Sequence, residues 1–283
     1  MSIDISAKDI GDFQDAVYSH YKKEGRVFPW RKNIQPWGVM VSEFMLQQTQ
    51  TARVVQYWPT WMEKWPSPNH LHRASMDEVL YAWYGLGYNR RCYHLKDCAR
   101  RLVKEYDGGV PDKPGELEEL PGIGPYTARA IPCFAYNIPT VFIETNIRAA
   151  VLHFFFKDET GVKDKEIIPI LSSCLDGTNP RRWYYALMDY GAALKKLTPN
   201  PNRQSAHYTR QSPFEGSFRQ LRGLVLKTLV QDGQGALDEL QERSGIDSPE
   251  DLYQVLEALR KENMVAECEG IYRIWGGDDT GGA

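Results

Sequence analysis

The sequence predicts a mostly α-helical protein that closes with a small winged-helix-like α+β module. Three features carry that prediction: apolar residues at helical spacing as far as about Lys196, few runs of strand alternation before the last quarter, and an abrupt polar stretch between Leu197 and Ser217. Taken in order, Ile10, Phe13, Val17 and Tyr21 form an i, i+3, i+7 stripe. Val39–Trp58 is long and apolar-periodic with Ser42 as an internal start signal, and Met76–Trp83 and Tyr93–Tyr106 read as two more helices. The loops Pro66–His70 and Asp107–Pro114, rich in Pro, Gly and Asn, separate these segments. The stretch TPNPNRQSAHYTRQSPFEGS carries three prolines and no periodicity, so it reads as an ordered linker or a basic strap. Beyond it come helices at about Phe218–Val230, Ala236–Arg243 and Pro249–Glu262, the last opened by Ser248 and Pro249. Met264–Cys268 and Ile271–Trp275 then flank a Glu269–Gly270 turn as a hairpin. Three helices and a hairpin are the order of a winged helix; a small α+β cap on the larger domain is the other reading. The expected layout is residues 1–196 as a helical domain, 197–217 as strap and 218–283 as the winged-helix-like domain.

Composition narrows the class. The 283 residues are 42% hydrophobic and 25% charged, ordinary for a globular protein, and no apolar run approaches the ~20 residues of a membrane span. The first ten residues lack the apolar core of a signal peptide, so a cytoplasmic location is expected. Five cysteines, Cys92, Cys98, Cys133, Cys174 and Cys268, form no CxxC pair and no cluster with zinc-ligand spacing, and read as reduced thiols. The net charge of −3 gives no average bias toward nucleic acid, but two stretches are basic: Arg90–Lys104, and Arg203–Lys227 with Arg203, Arg210, Arg219, Arg222 and Lys227. A solvated helix face and a nucleic-acid surface are both open readings of each.

Three segments carry chemistry. In LPGIGPYTARAI, Gly122 and Gly124 permit a tight turn, Pro125 suits the first turn of the next helix, and Tyr126 and Thr127 follow. Backbone N–H groups of Gly122, Ile123 and Gly124 at such a helix start suit a phosphate oxygen. In VFIETNIRAAVLHFF, Glu144 and Asn146 interrupt an apolar background and Thr145 is available as a cap, so Glu144 is either a structural cap or a carboxylate tuned for catalysis. In WGVMVSEFMLQQTQTARV, Glu43 sits among Val39, Val41, Phe44, Met45 and Leu46. Apolar burial of a carboxyl raises its pKa and suits a general acid near neutrality. The neutral run Gln47, Gln48, Thr49 suits base edges or sugar-phosphate.

Together with FPWR (Phe28–Arg31) and GLGYNRR (Gly85–Arg91), these segments resemble the helix-hairpin-helix (HhH-GPD) DNA glycosylases, most closely the adenine glycosylase MutY branch, over roughly Phe28 to Ala193. The resemblance implies a two-lobed helical glycosylase fold that extrudes a base and cuts its N-glycosidic bond in double-stranded DNA carrying a mispair. It implies that Glu43 protonates the leaving base. It implies that Glu144 stands where a catalytic Asp stabilises the sugar cation, and that Asn146 positions that carboxylate and the water. Tyr126 falls where bifunctional relatives place an attacking lysine, which implies a monofunctional enzyme without lyase activity. Trp30, Arg31, Leu46 and Asp189 match the base pocket, with Asp189 reading the adenine edge. Gln48, Thr49, Leu86 and Tyr88 match the wedge facing the 8-oxoguanine strand.

Three departures from the family pattern stand out. Glu144 replaces Asp, and the extra methylene shifts a carboxylate by roughly 1.5 Å unless the backbone adapts. The stretch after Ala193, LKKLTPNPNRQSAHYTRQ, has no cysteine, so no cofactor, and no iron–sulfur cluster, is expected; the basic strap Lys195–Arg210 is a candidate substitute for its electrostatic role on DNA. The family's C-terminal 8-oxoguanine-recognition domain is replaced by the segment from Phe218. Adenine opposite 8-oxoguanine or guanine is the leading substrate; thymine or uracil opposite guanine, a deaminated purine, and a silent mispair-binding paralogue are the alternatives. A monomer that binds DNA and no membrane is expected.

Overall fold

The computed structural model describes residues 5–157, 159–209 and 213–275. Arg210 of the strap and the last eight positions of the C-terminal segment lie outside the described residues. In chain order the helices are α1 (Ala7–Glu24), α2 (Pro29–Lys32), α3 (Pro36–Leu46), α4 (Thr51–Lys64), α5 (Pro68–Arg73), α6 (Met76–Trp83) and α7 (Arg90–Glu105). They continue as α8 (Pro114–Glu118), α9 (Pro125–Tyr136), α10 (Thr145–Phe155), α11 (Asp164–Ser173) and α12 (Pro180–Leu197), followed by a 3-10 turn at Pro201–Gln204. The C-terminal segment contains α13 (Phe218–Asp232), β1 (Gln234–Ala236), α14 (Leu237–Ser244), α15 (Pro249–Lys261), β2 (Val265–Cys268) and β3 (Ile271–Ile274). By packing, the chain forms two compact units, each discontinuous in sequence: residues 1–39 with 111–210, and residues 40–110 with 211–283.

In the first unit, α1 presents Phe13 and Val17 inward, as its stripe predicts, and its Ser6 cap is reciprocated by Asp9 in a capping box. The two residues join a core with Ile147, Val151, Trp183 and Tyr184. Rings organise it: Phe13 meets Trp183 edge-on at 5.9 Å, and Phe142 stacks on Tyr184 at 3.9 Å. α10 and α12 approach so closely that a Cβ at Gly191 would overlap the backbone carbonyl of Asn146. Gly191 therefore fixes the distance between α12 and the first turn of α10.

The second unit holds α4 to α7 and the C-terminal segment. The expected continuous pattern Val39–Trp58 is two helices, because the chain turns at Gln47–Gln50, where Gln48 has φ of 57° and the Thr49 N–H bonds to the Leu46 carbonyl. Ser42 is buried inside α3 and starts nothing. α7 begins at Arg90, three residues before the predicted Tyr93. Trp61, Trp65 and Trp83 cluster edge to face beneath α4 and α6. In the C-terminal segment Val225, Leu226 and Leu229 of α13 and Leu252, Val255, Leu256 and Leu259 of α15 are buried. The predicted hairpin forms with Cys268 opposite Ile271, and the short β1, absent from the sequence reading, pairs with β3 to give the antiparallel order β1-β3-β2. A three-residue strand with two exposed or half-buried positions leaves no alternation to read. Helix, strand, two helices and a hairpin form a winged-helix-like module. It is fastened to its own unit by the Tyr93 hydroxyl, which donates to the Met264 carbonyl at 2.8 Å.

Gly191→Ala is expected to lower stability by about 1–3 kcal/mol, since the clash is with backbone that cannot rotate away; urea denaturation measures it, and a change below about 0.5 kcal/mol would contradict the packing described.

Candidate nucleic-acid interface and catalytic groups

Leu120 and Ile123 pin the predicted hairpin between α8 and α9 from below, and Gly122 makes the turn with φ of 74°. Gly124 is the N-cap of α9 and gives its first turn no side-chain acceptor, while Pro125 has no N–H to satisfy. The side chains of Ile123 and Thr127 are buried, so the hairpin offers an anion its backbone and the exposed glycines. Tyr126 is half-buried and meets Phe142 edge-on at 5.6 Å.

Glu144, not Thr145, caps α10. Its Oε1 accepts from the N–H of Asn146 at 2.7 Å and of Ile147 at 2.9 Å, and its Oε2 accepts from Asn146 Nδ2 at 3.1 Å. Thr145 is exposed in the first turn, because the longer glutamate curls back to reach both N–H groups itself. Burial pushes the Glu144 carboxyl above the usual glutamate value; the capping bonds and the Lys195 ammonium pull it down but do not cancel the rise. Burial in turn lowers the Lys195 amine, against the opposing pull of Glu144. Cap and tuned carboxylate are one residue.

The segment after α12 closes over this turn. The buried Asn202 donates from Nδ2 to the Thr145 carbonyl at 3.0 Å. Gln204 donates to the carbonyls of Phe156, Lys157 and Glu159 at the far end of α10, and the Ala206 N–H bonds to the Val162 carbonyl at 2.9 Å. The donor set of an iron–sulfur cluster is not present: no cysteine lies between Cys174 and Cys268, and the Cys174 thiol is buried and pushed up to about 11. Amides bonded to carbonyls hold the strap, with Lys196, Arg203 and His207 exposed along it.

Of the residues matched to the base pocket, Trp30 is buried and stacks on Phe28 at 5.1 Å. Arg31 lies 4.3 Å from the Tyr185 ring centre and 4.8 Å from that of Phe28. Asp189 does not present a carboxylate edge outward. It is 2% exposed, and its two oxygens accept from Arg26 N and Nε and from both terminal nitrogens of Arg31, at 2.7 to 3.0 Å. A carboxylate saturated by two arginines holds Arg31 in place; Arg26, the second partner, has no motif around it in the sequence. Leu46 is half-buried at the end of α3, and Glu43 is buried in the same helix, 5% exposed.

The residues matched to the wedge share one hub. Leu86 is buried, Gln48 and Tyr88 are exposed, and the Thr49 hydroxyl donates to the Leu86 carbonyl at 3.2 Å. Both exposed residues have left-handed backbone, Gln48 with φ of 57° and Tyr88 with φ of 48°, a costly conformation for an aromatic residue. What holds them is Arg91. Its guanidinium donates to the carbonyls of Phe44, Met45 and Gln47 at the end of α3, to the Thr49 hydroxyl, and to the carbonyls of Leu86, Gly87 and Tyr88. Arg91 is 7% exposed, and burial lowers it to about 10, so it remains charged at neutral pH.

Both open readings of Arg90–Lys104, a solvated helix face and a nucleic-acid surface, fail at Arg91, which is buried against carbonyls. Lys96 donates to the carbonyls of Leu71, His72 and Ala74 at the end of α5, and Arg100 and Arg101 pair with Asp97 and Glu105 on their own helix. A signal for Arg91 was present: it lies on the helical face of Leu95, Cys98 and Leu102, all buried.

Comparison with known proteins gives the family and the fold. The family model described as HhH-GPD superfamily base excision DNA repair protein matches residues 41–172. An adenine DNA glycosylase from Mycolicibacterium smegmatis is 32% identical over 287 residues, covering 94% of this chain and 97% of that protein. The chain belongs to the HhH-GPD superfamily of base excision DNA repair proteins. An adenine DNA glycosylase from Mycobacterium tuberculosis is 46% identical over 132 residues, but the match spans only 46% of this chain and 43% of that protein. Among solved structures, a thermostable thymine-DNA glycosylase superposes with a TM-score of 0.59 at 22% identity, covering 65% of this chain and 87% of its own. A trapped endonuclease III–DNA covalent intermediate superposes with 0.53 at 17% identity, covering 74% and 91%. At these identities the likeness concerns the fold, and it agrees with the glycosylase architecture expected from the sequence motifs.

Arg91→Met strands the Phe44 and Met45 carbonyls at the end of α3 and takes one donor from the Gln47 carbonyl and from each carbonyl of the 86–88 turn, and a loss of about 3–5 kcal/mol is expected in chemical denaturation. A variant as stable as the wild type would show that the hub is dispensable.

Proposed function

We propose that this chain is a monofunctional DNA glycosylase that hydrolyses the N-glycosidic bond of adenine opposite 8-oxoguanine or guanine. The observation that carries the reading is Glu144: a half-buried carboxylate with a raised pKa, opening a helix and held by Asn146, at the motif position of the catalytic carboxylate. Its Oε1 is committed to the cap, so Oε2, with a single bond from Asn146, is the oxygen that faces the developing sugar cation. Glu43 supplies the proton to the departing base. The hairpin backbone and the uncapped start of α9 receive a phosphate, and Arg91 keeps the wedge in shape for the extruded state. The adenine DNA glycosylases among the relatives support adenine as the target. Tyr126 offers no amine for lyase chemistry, and the strap replaces a metal cluster with hydrogen bonds. The protein works as a monomer on mispaired duplex DNA in the cytoplasm.

Single-turnover excision on duplexes with adenine opposite 8-oxoguanine or guanine, thymine or uracil opposite guanine, and hypoxanthine opposite thymine tests this. Alkali-dependent cleavage at adenine, lost in Glu43→Gln and Glu144→Gln, is the expected result. Cleavage confined to another base moves the substrate, and tight mispair binding without release from any duplex identifies a sensor. A borohydride-trapped adduct that disappears in Lys195→Met would overturn the monofunctional assignment, since Lys195 is the amine whose charge acts on Glu144. Because Glu144 must be ionised, the rate should fall on the acid side with an apparent pKa above the ordinary glutamate value of 4.5. The stability sign is the opposite. The fold binds the proton more tightly than the unfolded chain, so stability falls as pH rises from that ordinary value through the raised one, and Glu144→Gln should flatten the fall.

A further inference from the structure

Tyr88 is the exposed tip of the wedge, and its partner comes from the winged-helix-like module of the same unit. Arg219, in the first turn of α13, donates from its NH1 nitrogen to the Tyr88 hydroxyl at 2.7 Å, with its guanidinium carbon 5.8 Å from the ring centre. About two helical turns further along, the Lys227 ammonium lies 5.8 Å from the ring centre of Tyr84. Arg219, Gly223 and Lys227 are spaced by four residues and share one face of α13. At Gly223 a Cβ would meet no protein atom within 4 Å, so the stripe is open between its two cations. Tyr84 and Tyr88 are exposed beside these cations, at 51% and 38%, and Phe214 and Phe218 near the start of α13 are exposed at 61% and 44%. Cations interleaved with exposed rings suit a nucleic-acid strand, which supplies phosphates and base faces together.

We propose that α13 completes the surface for the strand opposite the extruded base, and that Arg219 is a positioning residue that holds Tyr88 so the enzyme distinguishes which base stands there. The proposal rests on the glycosylase reading for its substrate. The physical content is the restraint of a strained residue. Tyr88 has left-handed backbone, held from inside by Arg91 through its carbonyl and from outside by Arg219 through its hydroxyl. Without Arg219 the ring regains rotamer freedom, and contacts that depend on its placement weaken for the preferred opposite base more than for the others.

The test is equilibrium binding of the full chain to duplexes holding a non-cleavable 2′-fluoro-adenosine opposite 8-oxoguanine or opposite guanine, beside a matched duplex. Thermal melts run in parallel. The wild type should prefer 8-oxoguanine. Arg219→Ala and Tyr88→Phe should each cut that preference about five- to tenfold, and the double variant should lose no more, as expected of residues acting as one unit. Arg219→Lys, which keeps a charged donor on a flexible stem, should retain part of it. A wild type without preference, an unchanged preference in Arg219→Ala, or equal weakening on all three duplexes would each overturn the proposal. The last would mark a sequence-blind phosphate contact. Should Arg219→Ala melt early, Tyr88→Phe decides, because it removes one hydroxyl and keeps the ring. Binding does not require turnover, so a wild type that prefers 8-oxoguanine yet releases no base overturns the proposed activity and leaves this inference standing.

Discussion

One buried guanidinium organises the second unit. Arg91 donates to carbonyls at the end of α3 and to those of the 86–88 turn, two segments about forty residues apart in sequence. Helix ends leave carbonyls exposed, and a planar fork with five donors can serve several at once where a lysine ammonium offers three. The cost is burial of a charge without a carboxylate beside it in the hydrogen-bond network, and its lowered pKa reflects that cost. Charged hydrogen bonds to aligned carbonyl dipoles offset it. The left-handed Gln48 and Tyr88 become tenable because the turns that contain them are fixed from within.

A comparable economy governs the carboxylate of the first unit. A glutamate at the N-cap of α10 does two things that pull its titration in opposite directions: the N–H groups of Asn146 and Ile147 favour the anion, and burial disfavours it. The extra methylene relative to aspartate is taken up in the cap. The carboxylate is curled toward the helix rather than projected away from it. Two features outside the motif hold the turn in that form: Gly191, which lets α12 approach the Asn146 carbonyl, and Asn202, which ties down the carbonyl of Thr145. The strap thus supports the same turn from which the Glu144 carboxylate is presented.

Helical elements were legible where burial is periodic, as for Phe13 and Val17 in α1, or where a start signal stands, as for Ser248 and Pro249 at α15. The hairpin from Leu120 to Thr127 was legible because glycine and proline have few other uses in that order. What escaped was pairing at a distance. The α3–α4 break hid in an apolar run because its cause, Gln48 in a left-handed turn, is held by Arg91, more than forty residues away. Asp189 was taken for an edge-reading group because nothing local announces that Arg26 and Arg31 converge on it from about 160 residues away. Thr145 was the better cap by residue type, and only the reach of Glu144 decides otherwise.

The charge distribution follows from the same networks. The chain is acidic on average, and many of its arginines are occupied: Arg91 with carbonyls, Arg100 and Arg101 with carboxylates, Arg129 with Glu118, Arg222 with Glu262. A protein that bound duplex through a broad cationic face would depend on counterion release and read little of what it held. In the proposed function the polar means are local and oriented: the glycine-capped start of α9, two strained turns held in one geometry, and cations set beside the rings of Tyr84 and Tyr88. Such groups act on shape, because each is fixed before a partner arrives and pays little ordering entropy on contact. For an enzyme that must find one extruded base among many stacked ones, a weak general field with rigid local contacts favours discrimination over residence on undamaged duplex.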